Sequence, residues 1–242
     1  TPRYLALVHE DGKALSVLAR INGSKEKAHG ILMEIKETVG ETLRTGIFTY
    51  GKKVIIIGIL LSVFQQFVGI NVVLYYAPRI FENLGAAKDA SLLQTIVFTV
   101  VAIFTVDKWG RRPLLITGSI GMAIGMFAIS TLSFNNIIGM STLIFIIIYT
   151  AAFMMSWGPI CWVLISEIFP NKIRGKAVAI AVAFQWIANY LISSTFPFMV
   201  GFSAWMTYGF YGLMSLLSAL FVWKMVPETK GKSLEQMEHL FK

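Results

Sequence analysis

Between residues 64 and 78 the chain reads Phe-Gln-Gln-Phe-Val-Gly-Ile-Asn-Val-Val-Leu-Tyr-Tyr-Ala-Pro, inside an apolar run that opens at Val54. Gln65, Gln66, Asn71 and Tyr75 would therefore lie at membrane depth. A side-chain amide carries two donors and two acceptors, and leaving them unpaired in hydrocarbon costs several kcal/mol. These groups must face something polar. A neutral, hydroxyl-rich solute would satisfy them in both hydrogen-bonding directions; so would a neighbouring helix, and the residues alone leave that alternative open.

Geometry adds a second expectation. At 100° per residue, Asn71 falls roughly 120° from Gln65 and Gln66 about 100° the other way, so one unbroken helix cannot turn them to a single face. The helix is expected to break at Gly69, where the missing Cβ tolerates off-helix dihedrals and close approach. A discontinuous span presenting amides and a phenol to one cavity is a device of secondary transporters.

Further along, Trp157-Gly-Pro-Ile-Cys-Trp162 puts Gly158 and Pro159 in mid-span, where they should kink or open the helix. Gln185 and Asn189 are four apart and share a face, with Trp186 beside them. Tryptophan in a span serves packing or interface anchoring as readily as ligand contact, so Trp162 and Trp186 are ambiguous by residue type. Glu167 stands at the end of a span, where an unpaired carboxylate is costly, and a cationic partner is expected.

The elements that must position these residues follow from composition. The 242 residues are 56% hydrophobic with mean hydropathy +0.68, which marks an all-α membrane protein. Twenty-one Lys and Arg against 13 Asp and Glu give a net charge of +8. Those cations cluster in short segments between apolar runs, so they read as topology signals and not as a nucleic-acid surface. The lone Cys161 excludes an intrachain disulfide and a Cys-based metal site. His9, His29 and His239 have no metal-ligand spacing, and no metal or cofactor is expected. Nor does any span place His, Asp or Glu beside a nucleophile, so no catalytic residue is assigned and an enzyme is not expected.

In chain order, residues 1–50 are polar and helix-prone, with Asn22-Gly23 as a break and Ser24 as N-cap of a helix over 25–39. Ile31, Leu32, Ile35 and Val39 form its apolar stripe. Six spans follow within a bundle at 51–226: 54–76, 91–106, 114–132, 138–169, 177–200 and 205–226. The second, of 16 residues, reaches only about 24 Å against a core of roughly 30 Å. Gly118, Gly121 and Gly125 give the third span a small-residue stripe suited to close packing. A tail occupies 227–242, where Ser233 can cap a terminal helix. Basic residues mark alternate connections, at Lys52/Lys53, Lys108/Arg111/Arg112, Lys172/Arg174/Lys176 and Lys224/Lys230/Lys232. By the positive-inside rule both ends of the chain are cytoplasmic.

Several of these stretches, in this order, resemble the C-terminal half of the sugar porters of the major facilitator superfamily. Thr1-Pro-Arg-Tyr-Leu is similar to the motif after that family's sixth span. Gln65-Gln66 with Gly69, Asn71 and Tyr75-Tyr76 resembles its seventh, Asp107 to Arg112 the loop after its eighth, and Gly158-Pro159 with Trp162 its tenth. Glu167 with Arg174-Gly175, and Pro227-Glu-Thr-Lys-Gly231, resemble later loop motifs. The wording of the seventh and tenth spans, with Gln185-Trp186, is most similar to the bacterial D-xylose/proton symporters.

The resemblance implies a six-helix half of a major facilitator fold, two three-helix repeats with short cytoplasmic helices at 1–50, in a bacterial inner membrane and completed by an N-terminal six-helix half. It implies alternating-access transport of D-xylose or a related monosaccharide such as D-glucose, by proton symport, with a passive glucose-type facilitator or a non-transporting sugar sensor as the other readings. Gln65, Gln66, Asn71, Tyr75, Trp162, Gln185 and Trp186 would contact the sugar, whose hydroxyls suit amides and whose C–H faces suit indoles. Arg111, Arg112, Glu167 and Arg174 would form a cytoplasmic latch. Two departures stand out: the short second span lacks the polar Asn those symporters carry there, and the connection at 201–204 is short. No span here holds an Asp or Glu near its middle, and the resemblance places the proton-coupling acid upstream of Thr1.

Overall fold

Long apolar runs bounded by basic residues must satisfy their backbone internally, and helices are the means. In the computed structural model, which describes residues 2–44, 46–73, 110–137 and 139–231, every regular element is helical. Tyr75, the expected second span at 91–106 and the tail from Ser233 lie outside the described residues. The chain divides into two units, Thr1–Thr49 with Asn171–Gly175, and Tyr50–Pro170 with Lys176–Lys242.

In the first unit, α1 (Pro2–Leu7), α2 (Asp11–Asn22) and α3 (Lys25–Arg44) enclose a small core of Ala6, Ala14, Leu18, Ala28 and Leu32, flanked by Ile31 and Ile35. Gly23 ends α2 in the left-handed conformation, its N–H returning to the Ala19 carbonyl. Ser24 Oγ accepts from Lys27 N at 3.5 Å, a long N-cap bond. Lys36 Nζ reaches Asp11 Oδ2 at 2.6 Å between α3 and α2. The third helix runs past residue 39 to Arg44, because Gly40 costs a helix only about 1 kcal/mol and does not end it.

In the second unit, a 3₁₀ turn at Ile47–Tyr50 leads into α4 (Lys52–Phe67), followed by α5 (Arg111–Phe134), α6 (Met140–Met155), α7 (Trp157–Ile168), α8 (Arg174–Phe202) and α9 (Ala204–Met225). Among the described residues five stretches are long and apolar enough to cross a membrane: Lys52–Val73, Arg111–Phe134, Met140–Ile168, Arg174–Phe202 and Ala204–Met225. The first and third are interrupted, and the other three are continuous.

Close approach is set by small residues. The Gly118/Gly121/Gly125 stripe of α5 faces α6, where a Cβ on Gly118 would overlap the Ser156 side chain and one on Gly125 would sit 3.0 Å from Tyr149 Cβ. On another face of α5, Ser119 Oγ accepts from Trp157 Nε1 at 2.7 Å and shares a 2.9 Å hydrogen bond with Ser218 Oγ of α9. Ser119, Trp157 and Ser218 are fully buried, so this polar chain ties α5, α7 and α9 where water cannot compete.

Candidate functional site

Two broken helices and one continuous one surround a cavity of about 290 Å³. The first break follows α4. The helix ends at Phe67, Gly69 takes φ +93°, and helical backbone resumes at Ile70. The second lies at Ser156, whose φ −130° and ψ −90° separate α6 from α7. The sequence places this interruption at Gly158-Pro159; the structure sets it just before them, because proline is accepted in a helix's first turn, where its missing N–H is not needed. Gly158 lines the cavity, and Pro159 sits in the opening turn of α7.

From α4 and its continuation come Gln65, Gln66, Ile70 and Asn71; from α6 and α7 come Phe153, Gly158 and Trp162; from α8 come Gln185, Trp186 and Asn189. The amides form one connected network. Gln65 Oε1 accepts from Gln66 Nε2 at 3.3 Å and from Gln185 Nε2 at 2.5 Å, while Gln65 Nε2 donates to the Trp157 carbonyl at 3.3 Å. Asn71 Nδ2 donates to Gln66 Oε1 at 2.5 Å and to Asn189 Oδ1 at 2.9 Å. Ser193 Oγ adds a 3.1 Å bond to the same Asn189 oxygen. Gln65 is the hub, since it alone touches α7 and α8 as well as its own helix.

The network leaves capacity unused. Gln185 Oε1 is buried and has no hydrogen-bond partner among the described residues, an acceptor whose isolation costs on the order of 1–3 kcal/mol. Trp162 and Trp186 leave 46% and 64% of their surfaces uncovered, offering apolar faces beside the amides. Such a mixture can bind a neutral molecule with hydroxyls on its edges and C–H groups on its faces. Among the described residues no group of His, Cys, Asp and Glu is placed to hold a metal.

Of the expected contact residues, Gln65, Gln66, Asn71, Trp162, Gln185 and Trp186 all line this one cavity, while Tyr75 lies outside the described residues. Asn189, which the sequence places on the Gln185 face but not among the expected sugar contacts, joins them. Its spacing of four from Gln185 is the signal that carries it to the cavity.

At one end of the same unit the charged residues gather. Arg111 Nη2 pairs with Glu167 Oε1 at 3.0 Å, and the other Glu167 oxygen accepts from Thr229 Oγ1 at 2.6 Å. Glu228, read from sequence only as part of a loop motif, proves central. Its Oε1 accepts from the backbone N–H of Arg111 at 3.1 Å, Thr229 at 3.0 Å and Lys230 at 2.9 Å, and its Oε2 from Arg112 N at 3.1 Å. The carboxylate thus caps the positive end of α5 from a residue beyond α9. Gly110, at φ +88°, makes room for it: a Cβ there would stand 2.9 Å from Glu228 Oε2. Arg112 Nη2 donates to the Trp223 carbonyl. Arg174, the fourth expected latch residue, stands at the start of α8 in the Asn171–Gly175 segment of the other unit.

Replacing Glu228 by Ala strands two helix-start N–H groups, and thermal unfolding should report a loss of about 1–2 kcal/mol. Glu228→Gln, which keeps a side-chain acceptor, should recover part of it. Equal stability of all three proteins would show that the cap is idle.

The sugar (and other) transporter family profile matches residues 1–241. The chain belongs to the sugar transporter family. Within that family it is 51% identical to the D-xylose-proton symporter of Escherichia coli (strain K12) over 261 aligned positions, covering 100% of this chain and 52% of that protein. It is 38% identical to the glucose facilitated diffusion protein of Zymomonas mobilis, covering 100% of this chain and 54% of the relative. Among solved structures, the E. coli proton:xylose symporter XylE bound to 6-bromo-6-deoxy-D-glucose matches at a TM-score of 0.76 and 50% identity, over 100% of this chain and 54% of that one. The chain thus spans about half the length of the relatives it matches, corresponding to the C-terminal half of the symporter, with the helical architecture of a major facilitator half. The 261 aligned positions exceed its 242 residues, so the E. coli sugar transporter carries residues within the matched stretch that this chain lacks.

Proposed function

We propose that this chain is the C-terminal half of an alternating-access carrier that takes D-xylose or a related monosaccharide across a bacterial inner membrane together with protons. The amide-lined cavity, with its unpartnered Gln185 oxygen and two uncovered indoles, is the observation that carries the proposal. Gln65, Gln66, Asn71, Gln185 and Asn189 hydrogen-bond the sugar hydroxyls, Trp162 and Trp186 cover its C–H faces, and Tyr75 completes the set. A substrate held between broken helices is released when one half of the carrier rocks against the other, so an N-terminal six-helix half is the partner. Residues 1–50 act as a cytoplasmic helical linker to that half, 51–226 as the bundle and 227–242 as a cytoplasmic tail, with both ends of the segment in the cytoplasm.

The Arg111–Glu167 pair, buttressed by Thr229 and by Glu228 at the backbone of Arg111 and Arg112, acts in this reading as a latch, closed when the cavity opens outward; Arg174 is assigned to the latch by the family resemblance. Proton coupling rests on the 51% identity to a D-xylose-proton symporter. A passive facilitator is favoured instead by the absence of Asp or Glu near the middle of any described span and by the 38% identity to a facilitated-diffusion protein. Uptake of labelled xylose into proteoliposomes, by the chain joined to its natural upstream half, decides between them. Accumulation driven by an inward proton gradient supports symport, equilibration indifferent to the gradient supports the facilitator, and binding without flux would leave a sensor.

A further inference from the structure

A backbone that leaves helical geometry in mid-membrane strands a carbonyl. At the end of α4 that carbonyl belongs to Val68, since Gly69 turns the chain to φ +93° before the helix resumes. Water is not at hand to satisfy it: Val68 is fully buried. The Tyr149 hydroxyl, from α6 and itself fully buried, donates to Val68 O at 2.8 Å. A second tyrosine closes the other side. The Tyr211 ring of α9 lies so near Gly69 that a Cβ there would come within 2.8 Å of it, and Phe196 and Phe210 hold that ring at centroid distances of 6.3 and 5.4 Å. The two phenols differ in kind. Tyr149 makes a hydrogen bond, whereas the buried Tyr211 hydroxyl has no partner among the described residues and serves only as a wall.

We propose that Tyr149 is a positioning residue for the binding cavity, its hydroxyl holding the helix break in the geometry that turns Asn71 toward Gln66 and Asn189. Tyr149 is not among the cavity's lining residues and acts only through the break. Without its proton, Val68 O is an unsatisfied buried acceptor, and the segment recovers by rewinding toward regular helix, which winds Asn71 away from the amides. The functional consequence rests on the sugar-binding reading above; the structural consequence does not.

The test uses the full-length protein with its upstream half and two readouts. Amide hydrogen exchange at residues 70–73 reports the break itself, and xylose affinity reports its consequence. Tyr149→Phe should change exchange at 70–73 and weaken xylose binding roughly three- to tenfold, the range expected for one lost hydrogen bond in a buried site. In an Asn71→Ala background the same substitution should weaken binding no further, because Tyr149 works through Asn71. Tyr211→Phe should leave both readouts unchanged. If exchange at 70–73 responds to Tyr149→Phe while neither Tyr149→Phe nor Asn71→Ala affects xylose affinity, the positioning role stands and the sugar reading falls. Unaltered exchange, or an equal loss of affinity with and without Asn71, overturns the proposal.

Discussion

Replacing Gln65 by Ala should weaken xylose binding by about 30- to 100-fold, roughly 2–3 kcal/mol. The expected effect exceeds that of one lost contact because Gln65 organises its neighbours. Its oxygen receives both Gln66 Nε2 and Gln185 Nε2, and its nitrogen occupies the Trp157 carbonyl beside the α6–α7 break. Truncation leaves two amide donors and one backbone acceptor to find new partners in a buried place, each at about 1–3 kcal/mol if it fails. Gln185 would then swing freely, and the acceptor it presents would lose its aim. Titration calorimetry on the full-length protein checks the affinity, and a thermal melt separates a binding defect from unfolding. Wild-type affinity in a normally folded variant would assign Gln65 to packing alone.

An equally large effect, on stability as well as binding, is expected from Gly69→Ala. Two costs add. A non-glycine residue at φ +93° loses on the order of 1–2 kcal/mol, and the new methyl would lie 2.8 Å from Tyr211 Cδ1, costing typically 1–3 kcal/mol more in a well-packed site. Gly23→Ala is the control. It shares the positive φ, at +68°, but has nothing within 4 Å of the added Cβ, so it carries the strain without the clash. The melting temperature should fall distinctly further for Gly69→Ala than for Gly23→Ala, with xylose affinity lost only in the former. Similar shifts for both would mean that the wall formed by Tyr211 yields easily.

These residues also show how much of the site is legible in the sequence. Amides in an apolar run announce a polar cavity, because hydrocarbon punishes them wherever they point elsewhere. The 120° mismatch between Gln65 and Asn71 pointed to Gly69, where the backbone does turn. Long-range partnerships were not legible. Nothing in the wording around Glu228 tells that its carboxylate travels more than a hundred residues back to cap Arg111, and nothing near Tyr149 identifies Val68 as its acceptor. Both depend on how helices lie side by side, which periodicity does not specify. The break at Ser156 was displaced from the sequence expectation for a local reason: proline disrupts a helix it falls inside, but not one that it begins.

The glutamate that joins the end of α9 to the start of α5 has a mechanical meaning. With Glu228 fastening them at one end and the Ser119–Ser218 hydroxyl pair riveting them further along, these two continuous helices form a stiff beam. Bending is left to the interrupted helices, whose severed ladders lie beside the cavity. Any movement that α5 and α9 share would therefore have to be taken up at the interrupted helices, which line the cavity.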